Sequence, residues 1–432
     1  MCRRASKMAG SSIRKSCLPK IKSSRKMPKS AGLVDISDCP PPWRSWPETN
    51  AVISALQDEG GVVRFVGGCV RDALLGIASE DIDIATDLLP GAVMQGLERA
   101  GIEALPTGLD HGTITAVCGK RHFEITTLRV DLVGHGRHAD IAFTHDWEVD
   151  AERRDFTFNA LYLDPTGELI DPVGGLADLK ARHVRFIGNA DDRIREDRLR
   201  VLRYFRFFAR FGDDNPDAAA LKACAKAAGD LGALSVERVQ KEILLLLATE
   251  TPLAALELMK ETGVLEAITG VPVNLSRIAS LLSLPVESDA LLRFAALLHC
   301  DKDEVSRLSA KLRFSNKHKE RLTHMCGKNI SREMDERDQA IALYWLGKQT
   351  FADQAILLWA ELTPECDFRQ YLDRAERWQR PPFPVTGRDL LTHGVAEGAA
   401  LGQLLNDMEI RWVESSFRLT KEELLREFLP DA

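Results

Sequence analysis

The stretch GGCVRDALLGIASEDIDIATD, Gly67 to Asp87, sets the architecture of the first half of the chain. VVRFV just before it reads as a short buried strand that runs into a Gly67-Gly68 turn. VRDALLG predicts a helix closed by Gly76, and DIDIAT predicts the next strand. Side chains two apart on a strand point the same way, so Asp81 and Asp83 project from one face while Ile82 and Ile84 pack on the other. Two carboxylates that close repel unless something positive stands between them. A divalent metal answers this, since Mg²⁺ takes hard oxygen ligands from one or two carboxylates and substrate phosphates. Two such ions about 4 Å apart would clamp the attacking and leaving oxygens of a phosphoryl displacement. A solvated strand end is the competing account of Asp-x-Asp alone. The glycines argue against it, because unhindered N–H groups at a strand-to-helix turn can approach a polyphosphate and Arg71 can fork onto its oxygens.

Working outward, a helix is expected from about Ala51 to Glu59, an amphipathic helix at LPGAVMQGLERAG, and strands at GTITAVC and RHFEITTLRV. Glu124 alternates with Phe123 and Ile125 on the last of these. It joins the aspartates if its strand neighbours theirs, and otherwise faces solvent. This βαβαββ alternation makes a compact unit up to about Asp164. Past DPVGGLADL (Asp171 to Leu179) the pattern is amphipathic helix with short polar breaks to the end. The fold class is therefore α+β: a small mixed-sheet head followed by an elongated all-helical region. Upstream, DCPPPWRSWPETN (Asp38 to Asn50) is proline-rich and reads as a linker.

Charge is unevenly spread. Residues 1–30 hold ten Lys or Arg and no acid, leaving 47 basic against 64 acidic residues in the rest. Such an acidic body excludes a generic nucleic-acid binder, so any RNA contact must be local. The basic opening is too poor in apolar residues to fold, and reads as an RNA-attracting arm, a transit-like peptide, or an extension ahead of a start at Met27. No apolar run reaches the roughly 20 residues of a membrane span. Nine cysteines without a CxxC pair form neither a disulfide framework nor a zinc site, which points to a reducing, cytoplasmic setting. His135, His138 and His145 beside Asp146 lack a helix to fix their spacing and are not read as a metal site, nor is LLHCD around His299. Nothing points to an obligate protein partner.

In REDRLRVLRYFRF, Arg200, Arg203, Arg206 and Arg210 recur at three-or-four spacing, with Leu199, Leu202, Phe205 and Phe208 as a packing face. Asp197 and Arg200, three apart, are expected on one helix face as an acceptor beside donors. Cytosine and adenine each offer an exocyclic amino donor next to a ring-nitrogen acceptor, which matches that pair. Uracil and guanine offer a carbonyl and an N–H, which oppose it.

GGCVRDALLG…EDIDIAT, RRDFTFNALYLD (Arg153 to Asp164), DPVGGLADL, IREDRLRVLRYFRFFARFG (Ile194 to Gly212) and LSVERVQKEI (Leu234 to Ile243) together resemble the bacterial tRNA nucleotidyltransferase and poly(A) polymerase family. They stand in family order from Gly67 to about Leu247. The resemblance implies a polymerase β-like nucleotidyltransferase head of the class II type. It also implies addition of C, C and A to tRNA 3′ ends from CTP and ATP without a template, by Mg²⁺-dependent transfer. Poly(A) synthesis or partial CC or A addition are the alternatives within it. Carried over, Asp81 and Asp83 bind metal, with Glu124 completing the catalytic carboxylates. Gly68, Arg71 and Arg154 contact the nucleotide, Asp197 with Arg200 selects the base, and Arg203 and Arg206 support it. The segment between Glu124 and Arg153 corresponds to a loop that helps switch from C to A. The family usually has proline where Arg198 stands, which only starts a helix conveniently. The implied organisation is a basic extension and linker (1–45), a catalytic head (46–165), a neck for base selection (166–255), and a body and tail (256–432) binding the tRNA acceptor arm.

Overall fold

The computed structural model describes residues 33–131, 141–213, 215–298, 302–363 and 366–429. The basic opening, His135, His138 and His299 lie outside them. Helix α1 (Pro47–Gln57) leads into β1 (Val63–Val66), then α2 (Gly68–Leu74), β2 (Ile82–Thr86) and α3 (Pro90–Arg99). Strands β3 (Glu103–Gly108), β4 (Thr113–Cys118) and β5 (Arg121–Thr127) follow, then the hairpin of β6 (Arg129–Asp131) and β7 (Ile141–Phe143). Helix α4 (Trp147–Glu152) and the short strands β8 (Tyr162–Leu163) and β9 (Leu169–Ile170) complete the head. The main sheet runs β3-β4-β5-β2-β1-β8-β9. All neighbours are antiparallel except β2 and β5, which run parallel with Asp83 opposite Glu124.

That one parallel pair positions the chemistry. Ile82, Ile84, Phe123 and Ile125 are fully buried on one face, so the alternating Asp83 and Glu124 must emerge on the other. A small second cluster of Val66, Ala85, Leu128, Ala151, Ala160, Tyr162 and Ile187 covers part of that face.

The proline-rich stretch is a strap and not a free linker. Pro42–Ser45 forms one 3-10 turn, and Trp43 is buried with its ring 4.7 Å from that of Phe65. Ile36 is buried as well, and Val34 N–H bonds the Leu74 carbonyl. Apolar residues spaced among the prolines give this segment something to bury, and burial of a large aromatic outweighs the breaks the prolines impose.

Helices then continue to the end of the described chain. Those bearing on the site are α5 (Gly175–Ala181), α6 (Ala190–Glu196), α7 (Arg200–Phe211), α8 (Ala218–Ala227) and α9 (Val236–Leu247). Helix α7 is buried almost all round: Val201, Tyr204, Phe207 and Phe211 join the expected packing residues. Its rings meet Phe156, Phe158 and Phe186 of the head, with Phe156 5.3 Å from Phe207 and 5.8 Å between Phe186 and Tyr204. One hydrophobic core therefore runs from Ile36 through α7 to Ala360, and the head is fixed against the arginine-bearing helix. A separate cluster of Tyr344, Leu390, Met408, Trp412 and Leu424 forms the C-terminal end.

Candidate active site

The site grows from Gly67, whose φ of +73° is a backbone conformation only glycine adopts without strain. The point where a Cβ would stand lies 3.7–3.8 Å from Asn159 O, Arg154 Nη1 and Asp83 Oδ2, so any side chain would project among the site's groups. Helix α2 starts at Gly68, with Arg71 one turn in.

Asp83 is enclosed by charge of its own sign. Burial raises its pKa, Glu124 and Asp81 add to the rise, and Arg154 and Arg71 only partly oppose it, leaving the carboxyl at about 6. Glu124, in register across the parallel pair, is exposed, as is Asp81 just before β2. The donor set fits a divalent cation: hard carboxylate oxygens, crowded until a positive charge joins them. Among the described residues no three His, Cys, Asp or Glu side chains enclose a metal ion by themselves.

Arg153, Arg154 and Asp155 form the junction between this sheet face and α7. Arg154 donates to Asp150 at 2.9 Å and lies over the Tyr162 ring, while Arg153 donates to the other oxygen of Asp150. Burial alone would raise the Asp150 carboxyl, but Arg154, Arg153 and the Tyr162 hydroxyl hold it well below the usual range. The Arg153 carbonyl accepts from Arg200 Nη2 at 2.9 Å. Asp155 accepts from Arg203 Nε at 2.7 Å and from the Asn159 amide at 2.9 Å, and these outweigh its burial to leave it at about 2. Asn159 in turn accepts from Arg71 Nη1. A continuous polar chain thus links Arg71, Asn159, Asp155 and Arg203, joining the glycine turn to the arginine stripe.

The expected residues do not all present themselves as free arms. Arg71 is buried, bonded to Asp72 and Asn159, and stacked on Phe211 at 4.8 Å and Phe207 at 5.2 Å. It is a fixed positive charge beneath the turn. Asp72 is also held by Arg210 at 3.1 Å. Arg206 donates to Glu242 of α9 at 2.5 Å and lies over Phe207.

The shared helix face expected for Asp197 and Arg200 is corrected. The helix breaks: α6 ends at Glu196, Asp197 is extended (φ −144°, ψ 104°), and α7 begins at Arg200. Asp197 Oδ1 accepts from Leu199 N–H at 3.1 Å, a local bond that competes with helical pairing. The two residues still adjoin, since Arg200 N–H bonds the Asp197 carbonyl at 2.9 Å. Their side chains do not bond. Arg200 turns to Glu196 and to the Arg193 and Arg153 carbonyls, and Asp197 is held by Arg238 of α9 at 2.5 Å.

Asp155, Asn159, Glu242 and Arg238 were not singled out from the sequence, although RRDFTFN and LSVERVQKEI contain all four. His145 is almost fully exposed, 4.0 Å from Asp87, and Asp146 caps α4 by accepting from Glu148 and Val149 N–H. Neither belongs to the site.

A family model described as poly A polymerase head domain matches residues 63–185, and one described as probable RNA and SrmB-binding site of polymerase A matches 215–270. The mitochondrial CCA tRNA nucleotidyltransferase 1 of Mus musculus is 35% identical over 384 residues, 85% of this chain and 86% of the relative. The CCA-adding enzyme of Latilactobacillus sakei is 28% identical over 392 residues, 88% and 96% of the two chains. Among solved structures, the Bacillus stearothermophilus CCA-adding enzyme in complex with CTP superposes with a TM-score of 0.68 at 26% identity, over 89% of this chain and 96% of that one. The chain belongs to the CCA tRNA nucleotidyltransferase family, whose members are metal-dependent enzymes.

Proposed function

We propose that this protein completes the 3′ end of tRNA by adding C, C and A from CTP and ATP, with side chains in place of a template strand. The observation that supports this is the junction at Arg153–Asp155, which ties the segment following the sheet of Asp83 and Glu124 to Arg200 and Arg203 of α7. The Gly67-Gly68 turn, backed by the buried Arg71 charge, receives the triphosphate, and Arg154 lies beside Asp83 to meet it. Asp197 accepts from the amino group of cytosine or adenine and Arg200 donates to the ring nitrogen. Arg203 and Arg206, each held by a carboxylate, stand as oriented donors on the nucleotide side of α7. In the reaction the RNA 3′-oxygen bonds to the α-phosphorus, the α–β anhydride breaks, pyrophosphate leaves and the hydroxyl proton is released. Asp81 and Asp83, with Glu124 beside them, would hold Mg²⁺, which would supply charge neutralisation and a lowered pKa for the attacking hydroxyl. Everything else the protein contributes is positioning and fixed electrostatics. The helices beyond residue 255 provide the surface along which the tRNA lies.

The test is one incubation of tRNA lacking its 3′ end with labelled CTP, ATP or both. Growth by three nucleotides with both, and by CC with CTP alone, is expected. A long ladder with ATP alone would make the protein a poly(A) polymerase, and arrest after one class of nucleotide a partial enzyme.

We place the enzyme in the cytoplasm. Free cysteines support a reducing compartment, and among the described residues no helix is long and apolar enough to cross a membrane. Because the mouse relative is named mitochondrial, a reporter carrying residues 1–30 is the check: diffuse signal is expected, and organellar signal would replace this assignment.

A further inference from the structure

We propose that Arg238 is a positioning residue for base selection, holding the Asp197 carboxylate in the pose in which it meets the incoming base. The proposal rests on the reading of Asp197 and Arg200 as the base-selecting pair.

Asp197 needs such support because of where it stands. It lies in extended backbone between two helices, and its side chain is one-third exposed. Its backbone is tied down, but nothing in the helical ladder fixes its side chain. Two contacts do that: Leu199 N–H on Oδ1 and Arg238 Nη2 on Oδ2. Arg200 gives no help, since its donors go to Glu196 and to the Arg193 and Arg153 carbonyls. The acceptor and the donor of the selecting pair are therefore oriented by separate supports, and Arg238 is the charged support of the acceptor.

Helix α9 is built to carry it. Arg238 and Glu242 are four apart and share a face. Glu242 is buried and takes Arg206 of α7, while Val239, Ile243, Leu246 and Leu247 bury the same helix in the core. One helix face thus offers a cation to Asp197 and an anion to Arg206, inverting the charges of the row it backs. The Glu242–Arg206 pair fixes the register of α9 on α7, and that register delivers Arg238 to Asp197. Each carboxylate oxygen has two lone-pair sites, and each gives one to its support, so acceptor capacity remains for an exocyclic amino group. A guanidinium suits the task, because its planar fork fixes a carboxylate's orientation where an ammonium would only attract it.

Without Arg238 the carboxylate would sample other rotamers, its alignment with the amino group of C or A would be lost, and the penalty against the carbonyl of U or G would weaken with it. The phosphate turn and the sheet carboxylates would be untouched. R238Q and R238M are therefore made in the full chain, the second keeping the aliphatic stem, together with R238K and D197A. For each, kcat and KM are measured for CTP, ATP, UTP and GTP on tRNA lacking its 3′ end, and folding is checked by thermal melting. R238Q and R238M are expected to lose about tenfold of the CTP-over-UTP and ATP-over-GTP discrimination, the size of one charged hydrogen bond, mainly through KM for the correct nucleotides. R238K should recover part of it. Parental discrimination in a folded R238Q or R238M, with D197A relaxed, would overturn the proposal. Parental discrimination in D197A as well would overturn the base-selecting pair on which it rests. A loss in R238Q that R238M does not share would assign the effect to packing and equally overturn it.

Discussion

Asp83→Asn is expected to turn over about a hundred- to a thousand-fold more slowly than its parent and yet, without divalent cation, to unfold at a higher temperature. The reason lies in the sheet. Burial, together with Glu124 in register and Asp81 two residues back, lifts the Asp83 carboxyl from 3.8 to about 6. Between those two values the folded protein keeps a proton that the unfolded chain has released, so stability falls as pH rises across that window. Above pH 6 the ionised carboxylate costs folding about 3 kcal/mol, which an amide of the same shape does not. Melting curves at neutral pH and near pH 4 check this. The variant's advantage should be full at neutral pH and shrink towards the acid end. Mg²⁺ should raise the melting temperature of the parent and leave the variant nearly unmoved, since ligand stabilisation requires the site. A variant that melts below the parent at neutral pH, cation absent, would show that Asp83 carries no electrostatic cost. A variant that responds to Mg²⁺ as fully as the parent would remove Asp83 from the metal.

The same residues show what the sequence could and could not reveal. Alternation of Asp with Ile around Asp83, and of Glu with Phe and Ile around Glu124, placed each carboxylate on the open face of a strand, and both are there. That the two strands are parallel neighbours was not legible, because 41 positions separate the paired residues and only the folded sheet brings them into register. The arginine stripe of α7 was legible from its spacing, whereas its counter-charges were not. Asp155, Glu242 and Asp72 lie 48, 36 and 138 positions away from Arg203, Arg206 and Arg210. Those partners change the chemistry expected of the stripe, from loose arms to a row of fixed charges. The break at Asp197 had a local signal, a side chain able to bond the backbone two residues on, but a strong 3.6-residue pattern on both sides masked it. Strand β3 was missed because it is mostly exposed and contains Pro106, as an edge strand can. Trp43 and Ile36 were overlooked because the prolines around them were weighed and the apolar residues were not.

Asp197→Ala is expected to accept UTP and GTP where the parent rejects them. The argument begins with what each base presents. On the proposed reading, cytosine and adenine place an amino group where Asp197 has its oxygens. Uracil and guanine place a carbonyl there, and two acceptors face to face leave both unpaired and repelling. A site built on such polar complementarity can reject the wrong partner by about ten-thousand-fold, far beyond what shape alone provides between bases of nearly equal size. Removing the carboxylate takes away the penalty against U and G and, separately, one favourable bond to C and A. Discrimination should therefore fall by about a hundredfold or more, while kcat/KM for CTP and ATP falls only about tenfold. Stability should change little, because Asp197 is one-third exposed and its ion pair with the 40%-exposed Arg238 is of the kind worth under about 1 kcal/mol. Single-nucleotide incorporation kinetics with each of the four triphosphates, on tRNA ending before and after CC, give the ratios directly. If UTP and GTP stay excluded, base choice resides elsewhere on α7, and the extended residue at the break serves only to turn the chain.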